Sequence, residues 1–287
     1  MNQTNQTSSA RNEFVLTDAE FKKLTGIVKE ITGIVLGDHK KEMVYGRLAR
    51  RLRELGMQSF AQYCSLLDSA RASDETGFLV NAITTNLTKF YRESHHFDFL
   101  TEHLQAVSND SVRRSGDKAV LIWSAGCSSG EEPYSIASTL LSRVPTMAQW
   151  NVKILATDLD TNMLATGRAG IYSKNSLQDI PADYSKVFQE FSKMERDKIV
   201  MRQRAKDLIH FKQLNLLHDW PMRKKFDVIF CRNVLIYFDG PTKEGLVKRY
   251  ADMLKPGGLL CLGHSESLQN KIDKLTLTGR TAYRKEA

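Results

Sequence analysis

Through the first third of the chain, apolar residues return every three or four positions; after Gly116 they gather into short continuous runs. The pattern predicts helices first and a sheet afterwards. Thr17-Asp-Ala-Glu20 is a capping box, followed by Phe21, Leu24, Ile27, Val28 and Ile31 at helical spacing. Asp38 is placed to cap a second helix, which runs to Leu55 and stops at Gly56. Two more periodic stretches, Phe60–Leu67 and Phe78–Ile83, complete a small helical domain.

The second part reads as strands alternating with helices. Ala119–Trp123, Val152–Ala156, Leu208–Leu214, Asp227–Phe230 and Leu259–Leu262 are short apolar runs, and Leu275–Leu277 with Ala282–Arg284 resembles a closing hairpin. Pro133 sits in the first turn of a helix, Thr161–Arg168 is another, and Pro241 opens a third that Lys255-Pro-Gly-Gly258 closes. Such alternation implies a parallel α/β sheet. It is interrupted between Ser173 and Asn215, where Lys198–Arg204 and Leu208–Lys212 suggest a small antiparallel insert.

Composition narrows the class. Of 287 residues, 41% are hydrophobic and 26% charged, enough for a large core in a soluble protein. The longest apolar runs are far too short to span a bilayer. The first thirteen residues are polar and lack an apolar h-region, so a disordered tail is expected and a cytoplasmic location. Four scattered cysteines (Cys64, Cys127, Cys231, Cys261) and seven histidines without ligand spacing give no metal pattern. The net charge is +8, and between Lys40 and Arg53 six bases face one acid. On the second helix Val44, Leu48, Leu52 and Leu55 make an apolar stripe flanked by Lys40, Arg47, Arg50 and Arg51, a basic face suited to an acidic partner.

Three strand ends carry candidate chemistry. Ser124-Ala-Gly-Cys-Ser-Ser-Gly-Glu-Glu-Pro133 joins the first strand to a helix, at the crevice where open α/β sheets bind ligands. It lacks the Gly-x-Gly-x-x-Gly fingerprint, and Glu131 and Glu132 would repel a pyrophosphate. They suit a cationic ligand such as S-adenosylmethionine, with its ammonium and sulfonium. Asp158, ending the second strand in Ala156-Thr-Asp-Leu-Asp160, can accept ribose hydroxyls, while Asp160 can cap the next helix. The buried run from Phe226 ends in Arg232-Asn233, with Tyr237 on the same rim. Asn86-Leu-Thr-Lys-Phe-Tyr-Arg-Glu93, between the two parts, has aromatic residues suited to packing over a site.

In their order, these motifs resemble the CheR family of chemotaxis protein-glutamate O-methyltransferases. The likeness runs from about Phe14 through Asp38-His-Lys-Lys-Glu-Met-Val-Tyr45, Asn86-Leu-Thr-x-Phe-x-Arg-Glu93, Gly130-Glu-Glu-Pro-Tyr-Ser135, Thr157-Asp-Leu-Asp160, Leu214-Asn-Leu-Leu217, Cys231-Arg-Asn-Val-x-Ile-Tyr-Phe238, Leu254-Lys-Pro-Gly-Gly258 and Gly263-His-Ser-Glu266. It implies a Rossmann-like class I methyltransferase sheet, an N-terminal all-helical domain at 14–85, a linker at 86–96 contributing to the cofactor site, and a methyltransferase domain at 97–287 with an antiparallel insert at about 173–213. By resemblance, S-adenosylmethionine contacts fall on Asn86, Thr88, Arg92, Glu132, Asp158, Asn215, Leu216, Arg232 and Asn233, with Arg92 and Tyr237 nearest the transferred methyl. The implied partners are the cytoplasmic domains of chemoreceptors, met by Lys40, Arg47, Arg50 and Arg51 at arrays on the membrane. Some relatives also bind a receptor's C-terminal peptide as an added strand on the insert. No nucleic acid, metal or membrane insertion is implied, and nothing demands a dimer.

A glutamate carboxylate is already ionised at neutral pH, so its methylation needs positioning and removal of water rather than a general base. A nucleic-acid amino-methyltransferase would carry an Asp/Asn-Pro-Pro-aromatic tetrad at the Arg232 strand end, which is missing. A scaffold that had lost catalysis would be expected to lack Arg92, Asp158 or Asn233, and all three are present.

Overall fold

The computed structural model describes residues 13–69, 72–110, 116, 118–268 and 274–286. The tail expected over residues 1–13 lies outside the described residues except for Glu13, which pairs with Arg53 at 2.9 Å. The chain divides into two compact units after Ile83.

In the first unit the capping box closes. Thr17 Oγ1 accepts from the Glu20 amide at 3.2 Å and the Glu20 carboxylate accepts from the Thr17 amide at 2.8 Å. Helix α1 (Asp18–Thr32) then runs to Gly33, whose φ of 72° ends it. The second helix starts later than its sequence suggests. Asp38–Lys40 forms a 3-10 turn and α2 spans Lys41–Glu54, so Asp38 sits in the turn and makes no capping bond. Helices α3 (Phe60–Leu67) and α4 (Ala72–Ile83) pack with these around Phe21, Leu24, Val44, Leu48, Leu52, Phe60 and Leu79.

Two of the four bases expected to face a partner turn inward. Arg51 makes a forked pair with Glu75 (3.0 and 2.7 Å), and Tyr63 donates to the same carboxylate at 2.8 Å. Burial alone would raise the Glu75 pKa, but Arg51 and Tyr63 outweigh it and hold the carboxyl below its ordinary range. Arg47 donates to the carbonyls of Ala82 and Ile83 at the end of α4, where unsatisfied carbonyls favour a cation. Lys40 and Arg50 are exposed, Arg50 pairing at the surface with Glu54.

The second unit is built on a sheet whose strands are β1 (Ala119–Ala125), β2 (Asn151–Asp158), β6 (Ile209–Gln213), β7 (Phe226–Cys231), β8 (Leu254–Leu262), β9 (Leu275–Gly279) and β10 (Ala282–Lys285). Among the described residues this is a seven-stranded sheet ordered β6-β2-β1-β7-β8-β10-β9. The pairs from β6 through β8 are parallel, and β10 pairs antiparallel with both of its neighbours. Side chains alternate along β1. Val120 and Ile122 join Leu100, Ile136, Ala137 and Leu140 of helices α5 (His95–Asn109) and α6 (Glu131–Arg143) on one face. Trp123 and Ala125 join Leu246, Val247 and Tyr250 of helix α9 (Gly240–Met253) on the other. Two further helices follow β2 in the chain: α7 (Thr161–Ala169) precedes the insert, and α8 (Ala182–Glu190) lies within it. Strand β1 has β2 on one side and β7 on the other, so its carboxyl end is a topological switch point, where such sheets open a crevice.

The insert differs from its expected composition. Its strands are β3 (Ile171–Ser173), β4 (Ser192–Glu195) and β5 (Lys198–Met201), with β5 in the middle and all pairs antiparallel. Leu208–Lys212 does not belong to it. Ile209 and Phe211 turn into the main core, Phe211 against Gly167 and Tyr134, and β6 pairs in parallel with β2. Residues Gln203–Lys206 form a helical turn instead of extending β5. Likewise Lys255-Pro-Gly-Gly258 does not lie outside the strand it precedes. Strand β8 starts at Leu254, and a register shift opposite Phe226–Val228 absorbs the extra residues.

Glu75→Ala should destabilise the protein by about 3 kcal/mol, because it leaves the Tyr63 hydroxyl unpaired and Arg51 with only its longer pair to Glu54 at 3.3 Å. The urea midpoint of the full chain should fall accordingly, and Glu75→Gln, which keeps one acceptor, should lose less. Equal midpoints for Glu75→Ala and the parent would show that Arg51 is solvated and not internally paired.

Candidate active site

The loop leaving β1 is fixed to β2 by its backbone. The amides of Gly126 and Cys127 both donate to the Thr157 carbonyl, at 2.8 and 2.9 Å. A Cβ on Gly126 would stand 2.3 Å from Val234 Cγ2, and its φ is 78°, so only glycine lets the β1 and β7 ends approach this closely. Ser128 follows in the left-handed region (φ 47°) and donates its amide to Asp158 Oδ2 at 2.7 Å. Asp158 Oδ1 accepts from the Asp160 amide at 2.9 Å. Burial pushes the Asp158 carboxyl up, and these amides work against it.

Asp160 caps α7, accepting from the amides of Asn162 and Met163 at 2.9 and 3.3 Å. Its other oxygen accepts from Asn86 Nδ2 at 2.8 Å and Thr84 Oγ1 at 3.0 Å. Asn86 thus ties the linker to the β2 end, while its carbonyl accepts from Ser128 Oγ at 3.2 Å. Thr88 lies half-buried two residues on. Phe90 and Tyr91 anchor the segment. Phe90 stacks edge-on against Tyr172 with centroids 5.0 Å apart, and Tyr91 lies flat on Tyr184 at 4.4 Å.

At the end of β7 stands Arg232, its side chain only 2% exposed. One amine of its guanidinium bonds Glu132 at 3.1 Å; the other lies 3.4 Å from Glu93 and donates to the Arg92 carbonyl. Ser124 Oγ also donates to Glu132, at 2.7 Å. Burial would raise the Glu93 pKa, but Arg232 and His264 together hold it down at about 2. Glu93 is held on its other side by His264 Nδ1 (3.0 Å), and His96 Nδ1 lies 3.7 Å away. Burial, then Arg232, push His96 down to about 3, so its imidazole is neutral, and Nε2 sits 3.1 Å from the Arg280 carbonyl as donor.

The remaining expected residues lie around the same crevice. Arg92 folds back so that Nη1 donates to the Leu87 carbonyl at 2.9 Å. Asn233 Nδ2 faces Glu93 Oε1 at 3.4 Å, and the Tyr237 hydroxyl donates to the Thr85 carbonyl at 3.4 Å. The Leu214 amide donates to the Asp158 carbonyl at 3.0 Å, which sets Asn215 and Leu216 immediately beyond the β2 end. Asn215 makes its own turn with Leu217, and Leu216 is buried beneath it. Lys40, Arg47, Arg50 and Arg51 belong to the helical unit and not to this cluster. Sequence reasoning missed Glu93, and also Glu266, whose carboxylate accepts from the Asn233 amide at 2.8 Å, although each closes a quoted motif.

The chemistry of this donor set suits a cation. Glu93 and Glu132 share one buried Arg232; burial pushes the Glu132 carboxyl up while Arg232 and Ser124 work against it, and Asp158 adds another carboxylate. A phosphate has no basic side chain to meet at the loop itself, while an ammonium or sulfonium does have acids to meet. Asn233 Oδ1 is buried without a protein partner in this cluster and can accept from a bound ligand. Cys127 and Cys231 are buried, which raises their thiols well above the ordinary value and keeps them protonated, a poor state for a nucleophile.

His96 gives the protein an acid sensitivity. A pKa lowered in the fold contributes stability that is complete above the unfolded value of 6.5 and is lost as pH falls toward about 3. Between pH 7.5 and pH 5 the loss should be of order 2 kcal/mol. His96→Gln, which can still donate to Arg280, should remove that part of the loss, as read from urea midpoints at the two pH values. An unchanged pH dependence in the variant would place the sensitivity elsewhere.

Comparison with known families agrees with this geometry. Residues 19–84 match the CheR methyltransferase all-alpha domain, and residues 86–284 the CheR methyltransferase SAM binding domain. The chain is 41% identical to the chemotaxis protein methyltransferase of Salmonella typhimurium, over 98% of this chain and 95% of that protein. It is 40% identical to its counterpart in Escherichia coli, over 98% and 96%. A probable chemotaxis protein methyltransferase of Rhizobium etli is 42% identical, over 88% of this chain and 94% of that one. With both domains matched in order and relatives aligned end to end, the chain belongs to the CheR methyltransferase family and carries its S-adenosylmethionine-binding domain.

Proposed function

We propose that this protein methylates the side-chain carboxylate of glutamates in the cytoplasmic part of chemoreceptors, giving methyl esters for sensory adaptation. The observation that supports the reading is that Asp158 ends β2, Asn233 and Tyr237 follow the end of β7, and Arg232 there binds Glu132 and the Arg92 carbonyl, in a chain with both family domains. S-adenosylmethionine, when bound, supplies an electrophilic sulfonium methyl group. Asp158, already braced by two amides, is placed to accept ribose hydroxyls. Asn86, Thr88, Glu132, Asn215, Leu216, Arg232 and Asn233 are the further residues proposed to contact the cofactor, with Asn86 tied to the β2 end through Asp160 and Glu132 bonded to Arg232 after β7. Tyr237 and Arg92 stand at the rim, where an incoming carboxylate would be oriented and stripped of water. A carboxylate nucleophile has no proton to lose at neutral pH, so the chain needs no general base.

For the acceptor, Lys40, at the turn ahead of α2, and Arg50 on α2 are offered to an acidic helix, whereas Arg47 and Arg51 serve their own domain. A receptor's C-terminal peptide would add to β3 or β4, the edges of the small sheet, where Met194 is exposed. The route through Lys198–Arg204 is closed, because β5 is paired on both sides.

The direct test is transfer of labelled methyl into receptor-rich membranes. The label should be released as methanol in mild alkali, as a carboxyl ester requires, and truncating the receptor's C-terminal peptide should slow transfer if the strand edge is used. Alkali-stable label would sink the glutamate reading. A second expectation concerns the basic face. Lys40→Glu with Arg50→Glu should slow receptor methylation several-fold at low salt and leave affinity for S-adenosylhomocysteine intact. The effect should shrink as salt shortens the screening length below about 8–10 Å. Normal rates at low salt would make that face a solvated surface only.

A further inference from the structure

The carboxylate of Glu266, just beyond the end of β8, is buried at 7% exposure and takes no part in the chemistry described so far. Three backbone amides converge on it. Oε2 accepts from Gly263 at 2.7 Å and from Asn233 at 2.8 Å, and Oε1 accepts from Ile236 at 3.1 Å. Its own amide donates to the Gly263 carbonyl at 2.8 Å, which closes the turn that presents it. The side chain thus bridges the ends of two parallel neighbours, β7 and β8, where the last paired residues are Cys231 and Leu262.

What it grips matters for the crevice. Asn233 is held at φ 58°, a left-handed conformation that a non-glycine residue keeps only when its surroundings impose it. In that conformation its side chain meets Glu93, and Oδ1 remains buried without a protein partner. Ile236 belongs to the 3-10 turn Leu235–Tyr237, so the third hydrogen bond fixes the turn that carries Tyr237. Gly263 completes the arrangement. A Cβ there would lie 2.7 Å from the Asn233 amide, 2.7 Å from Glu266 Oε2 and 2.8 Å from Asn233 Nδ2. Only glycine lets the β8 end come this close to Asn233.

We infer that Glu266 is a positioning residue for methyl transfer: it holds Asn233 in its left-handed conformation and the Tyr237 turn in register, so that both side chains meet the bound cofactor and acceptor. The inference rests on the proposed roles of Asn233 and Tyr237. A carboxylate is required because it only accepts hydrogen bonds, and three donors face it. An amide would set N–H against N–H at one of the three contacts.

The test measures affinity for S-adenosylhomocysteine by calorimetry on folded full-length protein, so it needs no receptor. Glu266→Gln should weaken binding roughly tenfold, the order expected from spoiling a hydrogen bond to a charged group. Gly263→Ala, whose Cβ would press on both Asn233 and the Glu266 carboxylate, should give a similar loss. In an Asn233→Ala background, Glu266→Gln should cost less than about twofold further, because the two residues act as one unit. A separate methyl-transfer assay on receptor-rich membranes should report the Tyr237 arm as a fall in kcat for Glu266→Gln, beyond the change in cofactor affinity. Wild-type affinity in folded Glu266→Gln and Gly263→Ala would overturn the inference, and so would losses that multiply fully with Asn233→Ala. A merely structural Glu266 would lower the urea midpoint and leave the affinity of folded molecules unchanged, which also overturns it. Failure of the parent protein to esterify receptors would instead count against the proposed substrate, since the affinity measurement stands without it.

Discussion

A guanidinium that is 2% exposed cannot remain in a protein interior alone, and the catalytic unit is arranged around pairing the charge of Arg232. Glu132 comes from the first turn of α6, Glu93 from the linker ahead of α5, and the Arg92 carbonyl from the same linker. Removing either acid would leave a buried charge partly uncompensated. The linker therefore stays against the carboxyl ends of β1 and β7, and with it Asn86, Thr88 and Arg92. Two acids share one base where a cationic cofactor is expected. One interaction thus serves both the fold and the electrostatic selectivity of the crevice.

The same region shows how short-range strain is balanced by specific partners. Tyr91, Glu93, Ser128 and Asn233 all have positive φ, and all lie on the linker, the β1 loop or the β7 end. Each is restrained nearby. The Tyr91 amide donates to Ser135 Oγ, the Ser128 amide to Asp158, and the Asn233 amide to Glu266. Glu93 is restrained through its side chain, by Arg232 and His264. Strain of this kind persists only where surroundings over-determine it, and it gathers where side chains must be aimed at a ligand. The glycines at 126 and 263 have the complementary task of allowing backbones to approach within distances that any Cβ would block.

The helical unit applies a similar economy to its basic helix. Six bases in fourteen residues look like one electrostatic surface in the sequence, but Arg51 neutralises a buried glutamate and Arg47 caps α4. Periodicity located the apolar stripe of α2 correctly, since Val44, Leu48 and Leu52 are fully buried. It could not separate a flanking arginine that reaches solvent from one that reaches across to α4. That depends on where Glu75 and the last carbonyls of α4 lie, residues 24 to 36 positions away along the chain.

The sequence by itself determined the local features. The Thr17 capping box, the strands ending at Trp123–Ala125, Asp158 and Cys231, and the Asp160 cap are set by side-chain spacing within a few residues. The order of motifs likewise determined the family and its two-part architecture. Tertiary structure alone decided which strand Ile209–Gln213 pairs with, because its alternating pattern suits either sheet and only the packing of Phe211 against Gly167 selects the larger one. It also decided that Glu93 and Glu266 belong to the site. Their partners, Arg232 and the Asn233 amide, lie 139 and 33 residues away along the chain. A buried charge takes its partner from whatever the fold brings within hydrogen-bond distance, and no spacing along the chain encodes that choice.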